Sequence, residues 1–313
     1  MKGLELSERY FREYGRDMLE REFPDILPYL ACGLVGSGSE CLGYDDELSR
    51  DHDFEPGFCI FLPGEDVVDR KDAFRLERAY AGLPVEFMGF RRSRVSPAGG
   101  SRHGVIRTED FYREHAGVVG GRMDASSWFS VPSYALREAV SGRVFFDNYG
   151  EFTRIRRMLS EMPRDVKLKK LCGHLFLMAQ AGEYNYPRLV KRGDKAAAQL
   201  AANEFVKSAM EVIFLLNGEY MPYYKWSFRA LKDLSFMGDC GEVLYRIMTS
   251  PNEVEASGEK SALIENVCRE VCAELIRQGL TKEDGSDPER HAFSVNDMIS
   301  DGSIRNLGIL YAV

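Results

Sequence analysis

The residue types best suited to chemistry lie in two short segments of the first sixty residues, Gly36-Ser37-Gly38-Ser39 and Asp51-His52-Asp53. In an extended strand, residues two apart point to the same face, so the carboxylates of Asp51 and Asp53 would lie side by side, with Cα atoms about 6.6 Å apart. Two adjacent carboxylates repel each other unless a divalent cation lies between them, and Mg²⁺ prefers one or two carboxylates together with substrate phosphates. The aspartate pair therefore predicts a site for Mg²⁺ or Mn²⁺.

The glycine-rich segment supplies groups that suit a phosphate. Glycine lets the backbone approach a ligand closely and turns successive N–H groups towards it. The hydroxyls of Ser37 and Ser39 add side-chain donors. Together with the aspartate pair, Gly36, Ser37 and Ser39 predict a binding site for a nucleoside triphosphate.

Both segments require strands to position them. The apolar run 29–35 leads into the glycines, and residues 51–54 lead towards a second apolar run at 58–62. Each run has the length and apolar composition of a buried strand. Further strands are predicted at 84–87 and 142–147, and helices at 7–22, 69–80 and 132–140.

After residue 150 the strand signals nearly vanish. Helical patterns occupy 151–160, 165–181, 194–216, 225–236, 239–248 and 259–278. Such segregation predicts an α+β protein in which a mixed-sheet domain, residues 1–150, is followed by an α-helical bundle domain, residues 151–313.

The order of the two motifs resembles that of the nucleotidyltransferase superfamily, which includes DNA polymerase beta and kanamycin nucleotidyltransferase. There an apolar strand enters Gly-Ser, and Asp-x-Asp follows on the next strand; here 13 residues separate Ser37 from Asp51. The resemblance implies a nucleotidyltransferase-type sheet domain, with Gly36 and Ser37 on the phosphates and Asp51 and Asp53 on the metal.

A wider resemblance covers most of the chain and is to a poorly characterised bacterial nucleotidyltransferase-like family with a C-terminal helical domain. It is carried by the segments 142–147, 192–197, 204–206 and 215–226. Antibiotic-modifying nucleotidyltransferases have a comparable division and hold the acceptor between the two parts, so the same arrangement is expected here by analogy.

The third carboxylate, which would bind metal or accept the acceptor's proton, is not fixed by spacing. Glu86 has an apolar residue on each side, as in a strand that lines a cleft, and Glu138 and Asp147 are rivals. His52 replaces the apolar residue usual between the two aspartates; it could pack, form a hydrogen bond behind the metal ligands, or reach a phosphate.

Lys225 stands among aromatic residues in Tyr223-Tyr224-Lys225-Trp226. Its ammonium could contact a triphosphate while the rings stack on a base, or the segment could simply begin a packed helix. Basic residues also outnumber acidic ones over 151–200, which indicates either a solvated helix face or a surface that faces phosphates. The run 200–216 is apolar nearly all round and predicts a core helix.

The composition narrows the class of protein. The 313 residues are 44% hydrophobic and 29% charged, which excludes a disordered or low-complexity chain. The 49 acidic against 41 basic residues make nucleic acid an unfavoured partner without excluding a tRNA end. No membrane span and no targeting signal is recognised, so a cytoplasmic protein is expected. The seven scattered cysteines predict buried thiols.

The sequence thus predicts an enzyme that moves a nucleoside monophosphate, with AMP expected, from a nucleoside triphosphate to a hydroxyl of a small molecule or a protein. Asp51 and Asp53 would hold Mg²⁺, Glu86 would accept the proton, and Lys225 would join Gly36, Ser37 and Ser39 at the nucleotide. The alternative is a non-catalytic protein of the same fold, resembling the antitoxin-like members, that binds a nucleotide or a partner. Zinc, Rossmann, P-loop and GxSxG patterns are not found in the sequence.

Overall fold

The computed structural model describes residues 1–48, 54–92 and 103–313, with the side chains of 254–257 left out. The protein is of the mixed α+β class, with a small mixed sheet and many helices. Its described residues form two compact units. We call Met1–Met123 with Ala135–Glu161 the sheet unit, and Asp124–Tyr134 with Met162–Val313 the helical unit. The boundary expected from the sequence, between 150 and 151, stays a prediction.

The sheet unit contains all the strands that the structure describes. The strands are β1 (Ala31–Val35), β2 (Cys59–Leu62), β3 (Glu86–Phe87), β4 (Phe90–Arg91), β5 (Gly104–Arg107) and β6 (Gly142–Asp147). The helices are α1 (Gly3–Tyr10), α2 (Arg16–Glu22), α3 (Ser39–Leu42), α4 (Arg70–Ala81), α5 (Thr108–Ala116) and α8 (Glu151–Ser160). A π-helical segment, Phe11–Gly15, joins α1 to α2.

Four strands form one sheet in the order β5-β2-β1-β6, and β3 pairs with β4 in a separate hairpin. Strand β1 is antiparallel to both β2 and β6, whereas β2 is parallel to β5. All five residues of β1 are buried, as its apolar sequence predicts. Gly33 is required in β1 because a Cβ there would lie 2.5 Å from the carbonyl oxygen of Arg143 on β6. The core packs the apolar face of α1 and α2 on this sheet, with Tyr10 and Phe58 fully buried.

The helical unit holds the remaining helices. They are α6 (Ala125–Ser130), α9 (Arg164–Met178), α10 (Tyr186–Lys191), α11 (Lys195–Leu216), α12 (Tyr224–Leu231), α13 (Cys240–Thr249), α14 (Val254–Arg277), α15 (Pro288–Asp297) and α16 (Gly302–Arg305). Helix α7 (Ser133–Val140) begins in the helical unit and continues in the sheet unit. The helix predicted at 194–216 is confirmed as α11, and 14 of its residues are buried.

The prediction of buried thiols is confirmed for six of the seven cysteines: all seven are free, and Cys240 is partly exposed. Burial raises the pKa of the Cys172 thiol to about 12, so it stays protonated at neutral pH. No helix among the described residues has the length and apolar character needed to cross a lipid bilayer.

Candidate functional site

One edge of the four-stranded sheet brings together the carboxyl end of β1 and the amino ends of β2, β5 and β6. The antiparallel pairing places Gly33 of β1 opposite Cys59, the first residue of β2, and Val35 opposite Gly142, the first residue of β6. The parallel pairing places Cys59 beside Gly104, the first residue of β5. We call this the motif edge, because the glycine segment leaves the sheet here and β2, the strand that follows the aspartate motif in the sequence, begins here.

At the motif edge the chain turns through two glycines in conformations that L-residues rarely adopt. Gly36 has φ +101° and Gly38 has φ +112°, and the short helix α3 follows. A Cβ at position 36 would lie 3.2 Å from Cε2 of Phe111 and 3.3 Å from Nε2 of His115. The turn therefore requires glycine both for its backbone angles and for its close packing against α5.

His115 is the side chain that lies against this turn, and sequence analysis assigned it no role. Its Nδ1 lies 3.0 Å from the carbonyl oxygen of Phe111, which can only accept a hydrogen bond, so Nδ1 carries the proton. The other ring nitrogen, Nε2, is the one nearest to Gly36. The ring is half-buried and lies 4.4 Å from the Phe111 ring between centroids. Nε2 is thus the ring nitrogen of His115 that could contact a ligand at the turn.

A second polar pair lies at the motif edge just before β2 and β5. Oε1 of Glu55 lies 3.2 Å from Nδ1 of His103, and both side chains are largely buried. His103 directly precedes Gly104, and Glu55 lies four residues before Cys59. The pair therefore links the two segments that lead into β5 and β2. Glu55 is a carboxylate that the sequence analysis missed; its nearness to Asp53 in the chain was the available signal.

The predicted site residues fall in four places. Gly36, Ser37 and Ser39 lie together at the turn, and the Ser39 hydroxyl donates to Oε2 of Glu40 over 3.4 Å. Asp51 and Asp53, with His52 between them, lie outside the described residues. Glu86 lies on β3, in the separate hairpin rather than in the four-stranded sheet, and is exposed. Lys225 lies in the helical unit.

Asp147 and Glu138, the two other candidates for the third carboxylate, lie on β6 and on α7. Both carboxylate oxygens of Asp147, the last residue of β6, accept backbone N–H groups, from Gly150 at 2.7 Å and from Thr153 at 2.8 Å. Asp147 therefore links the end of β6 to the first turn of α8. Glu138 lies half-buried in α7. The identity of the third carboxylate stays a prediction.

Lys225 is exposed in the first turn of α12, in an aromatic cluster. Its ammonium lies 5.4 Å from the centre of the Trp226 ring. The rings of Tyr223 and Tyr224 are 4.3 Å apart, and Tyr134 meets Tyr223 edge-on at 5.6 Å. Exposed rings beside a cation can stack on a planar ligand, which is the role that sequence analysis proposed.

The described residues contain no group of three or more His, Cys, Asp or Glu side chains placed to hold a metal ion. The predicted metal ligands are not among them. The donor atoms of the predicted site suit Mg²⁺. The carboxylates of Asp51 and Asp53 and the hydroxyl of Ser37 are hard oxygen ligands of the kind that Mg²⁺ prefers.

Comparison with protein families gives one match, to a domain of unknown function (DUF4037), over residues 128–227. This segment is less than half of the chain and includes α9, α10, α11, β6 and the start of α12. No curated protein and no solved structure matches the chain.

Proposed function

We propose that the protein is a Mg²⁺-dependent nucleotidyltransferase, which moves a nucleoside monophosphate from a nucleoside triphosphate to an acceptor hydroxyl and releases pyrophosphate. The observation that carries the proposal is the Gly36–Gly38 turn at the motif edge, together with the pairing that places the start of β2, six residues after Asp53 in the sequence, at the same edge. Its sheet unit would then be of the nucleotidyltransferase type, as the sequence resemblance implies.

The turn supports the proposal because two glycines with positive φ follow directly after β1, so that no side chain covers the backbone at positions 36 and 38. Gly36 and Gly38 turn the chain sharply, and Ser37 between them is half-buried. Successive N–H groups in such a bend form a concave donor surface that fits phosphate oxygens. Nε2 of His115 borders the same bend, so the ring could contact a phosphate bound there.

Asp51 and Asp53 are the residues that would hold Mg²⁺, which supplies positive charge to the triphosphate when bound. The remaining chemistry belongs to the protein's own side chains. The acceptor oxygen forms a bond to the α-phosphorus, the bond from that phosphorus to the bridging oxygen breaks, and pyrophosphate leaves. The hydroxyl proton passes to a carboxylate, for which Glu86 is the sequence candidate and Glu55 the carboxylate at the motif edge.

The test measures pyrophosphate release and transfer of label from α-labelled ATP, GTP, CTP and UTP with Mg²⁺, using the full chain and a broad set of acceptors. Asp51→Asn should lower turnover by roughly a hundredfold or more, because one of the two carboxylates that would hold Mg²⁺ is lost. The fold should be unchanged by circular dichroism. Wild-type turnover in this variant would show that the aspartate pair has no catalytic role.

Matched variants separate binding from chemistry. Gly36→Ala should weaken ATP binding, because alanine is strained at φ +101° and its Cβ would press on His115. Glu55→Gln and Glu86→Gln should retain ATP binding, and whichever loses transfer identifies the proton acceptor. ATP binding without product across all acceptors would favour the non-catalytic alternative instead.

A further inference from the structure

A buried polar cluster interrupts the apolar interface between α9 and α11 in the helical unit. It lies within the segment that matches the domain family, and the proposed transfer reaction does not use it. Its members are Ser133, Lys170, His174, Lys207, Ser208 and Glu211. We call it the helical cluster.

Helices α9 and α11 pack against each other, and His174 and Glu211 each lie within electrostatic reach of both Lys170 and Lys207. Lys170 and His174 are four residues apart on α9, and Ser208 and Glu211 are three apart on α11. Residues at these spacings are neighbours on a helix surface. Lys170, His174, Ser208 and Glu211 are each at least nine-tenths buried, whereas Lys207 is exposed at the rim.

Two atoms of the helical cluster lack hydrogen-bond partners within the described part of the chain. They are Nδ1 of His174 and the hydroxyl oxygen of Ser208, and both are shielded from solvent. A serine in a helix interior usually bonds to the carbonyl one turn back, so the state of Ser208 is unusual. Leaving a buried polar atom unpaired is unfavourable, which indicates that something polar completes these bonds.

The neighbouring Lys169 shows what a purely structural buried lysine looks like here. Its ammonium donates to Oδ1 of Asn296 at 2.8 Å and to the carbonyl oxygens of Leu307 at 2.7 Å and Arg305 at 3.3 Å. Lys170, one residue on, faces the carboxylate of Glu211, and that carboxylate instead accepts the Ser133 hydroxyl at 2.8 Å. The ammonium of Lys170 therefore has capacity to bind a ligand.

The charges define which ligand fits. The ammonium groups of Lys170 and Lys207 outnumber the single carboxylate of Glu211, and His174 is neutral because burial and both lysines lower its pKa to about 3. Burial raises the pKa of Glu211, whereas Ser133, Lys170 and Lys207 oppose that shift. Two cations beside a neutral imidazole disfavour a metal ion and favour an anion.

We propose that the helical cluster is a binding site for a small oxyanion, the phosphate or carboxylate group of a ligand, which Lys170, Ser208 and His174 hold between α9 and α11. The oxygens would accept from the Lys170 ammonium, the Ser208 hydroxyl and the Nδ1–H of His174. Lys207 would attract the anion at the rim. This proposal does not depend on the transfer reaction.

The test titrates the full chain with inorganic phosphate, and separately with acetate, at constant chloride concentration. Calorimetry gives the affinity, and the ring signals of the five histidines, with that of His174 assigned by His174→Gln, report where the anion binds. We expect saturable binding that shifts the His174 signal. If only phosphate or only acetate shifts the His174 signal, that anion identifies the ligand group that the site prefers.

Variants test the named contacts. Lys170→Met should weaken binding about tenfold, because a charge-assisted hydrogen bond is lost, and Ser208→Ala about threefold. Lys191→Met, at an exposed site in the same unit, is the control and should leave the affinity unchanged. Ser208→Ala removes only an oxygen atom, so it remains informative if Lys170→Met fails to fold.

The proposal is overturned if neither anion moves the His174 signal, since water alone would then complete the cluster. It is also overturned if added chloride produces the same shift, since the site would then not select an oxyanion. It is also overturned if Ser208→Ala and Lys191→Met bind phosphate equally well. Phosphate bound at the glycine turn would shift the His115 signal and not that of His174, so the two sites remain distinguishable.

Discussion

The motif edge of the sheet unit and the helical cluster of the helical unit would both bind anions, by opposite means. At the motif edge the donors are backbone N–H groups shaped by two glycines, and the residues concerned are adjacent in sequence. In the helical cluster they are side chains of two helices, with 37 residues between Lys170 and Ser208, held in a buried interface. A backbone site depends on local conformation, whereas a side-chain site depends on helix packing.

The same contrast separates two consecutive residues of α9. Lys169 is surrounded by three oxygens and joins α9 to α15 and to residues 305 and 307. Lys170 is nearly as buried, but its ammonium has no hydrogen bond to the described part of the chain, and burial lowers its pKa. Lys169 therefore stabilises the fold, whereas the ammonium of Lys170 retains the capacity to bind a ligand.

The largest expected effect is the difference in the free energy of unfolding between variants of Lys169 and of Lys170. Lys169→Met should lower the free energy of unfolding by about 3 kcal/mol, because three buried oxygens lose their donor. Lys170→Met should cost at most about 1 kcal/mol, because relieving the desolvation of its ammonium offsets the weaker field at Glu211. Urea denaturation in phosphate-free buffer measures both. Equal losses in the two variants would mean that Lys170 is also structural.

The next largest effect is a pH dependence of the free energy of unfolding, which arises from His174 in the helical cluster. Burial and the charges of Lys170 and Lys207 lower the pKa of His174 to about 3, from 6.5. Between these values the unfolded chain binds a proton that the folded chain does not, so stability falls as the pH falls. From pH 7.5 to 5.5 this contribution is about 1.4 kcal/mol.

His174→Gln should remove that part of the slope, measured as the difference between the variant and wild type in urea unfolding at each pH. Glu211, whose pKa burial raises, titrates in both proteins, so its contribution cancels in this difference to first order. Ser208→Ala keeps the imidazole and should retain the wild-type slope. A slope unchanged by His174→Gln would place the proton uptake on another group.

The smallest expected effect concerns the motif edge. If backbone N–H groups provide most of the binding there, His115→Asn should weaken ATP binding only about threefold, a difference of roughly 0.6 kcal/mol. Competition with a fluorescent ATP analogue measures it, with His291→Asn in the helical unit as the control for loss of a histidine. A loss of a hundredfold would make the site a side-chain site and remove the contrast with the helical cluster.

Local patterns in the sequence predicted the parts of the fold that local residues determine. The apolar run 29–35 predicted β1, the glycines predicted a turn, and the apolar residues of 200–216 predicted a buried helix. Strand β5 was missed, because Gly104–Arg107 has only two apolar residues and depends on β2 for its pairing. The helix predicted at 225–236 ends earlier, at Leu231.

The sites divide in the same way. Gly36 and Ser37 were predicted as site residues from order and spacing, whereas His115 approaches the turn only because β5 and α5 pack there. The basic stretch after residue 150 was open to two interpretations, a solvated face or a phosphate-facing surface. For Lys169 and Lys170 the solvated-face interpretation is wrong, since both are buried by helices distant in sequence. Tertiary packing of this kind leaves no signal at short range.

The two hydrogen bonds that Asp147 accepts should couple the local unfolding of β6 to that of the start of α8. Because one carboxylate engages the amides of both Gly150 and Thr153, those amide hydrogens should exchange slowly with deuterium even though they lie in a surface connection. Their exchange should follow that of β6 itself, so strand and helix would be released in a single step. The joint between them would thus behave as part of the sheet and not as a hinge.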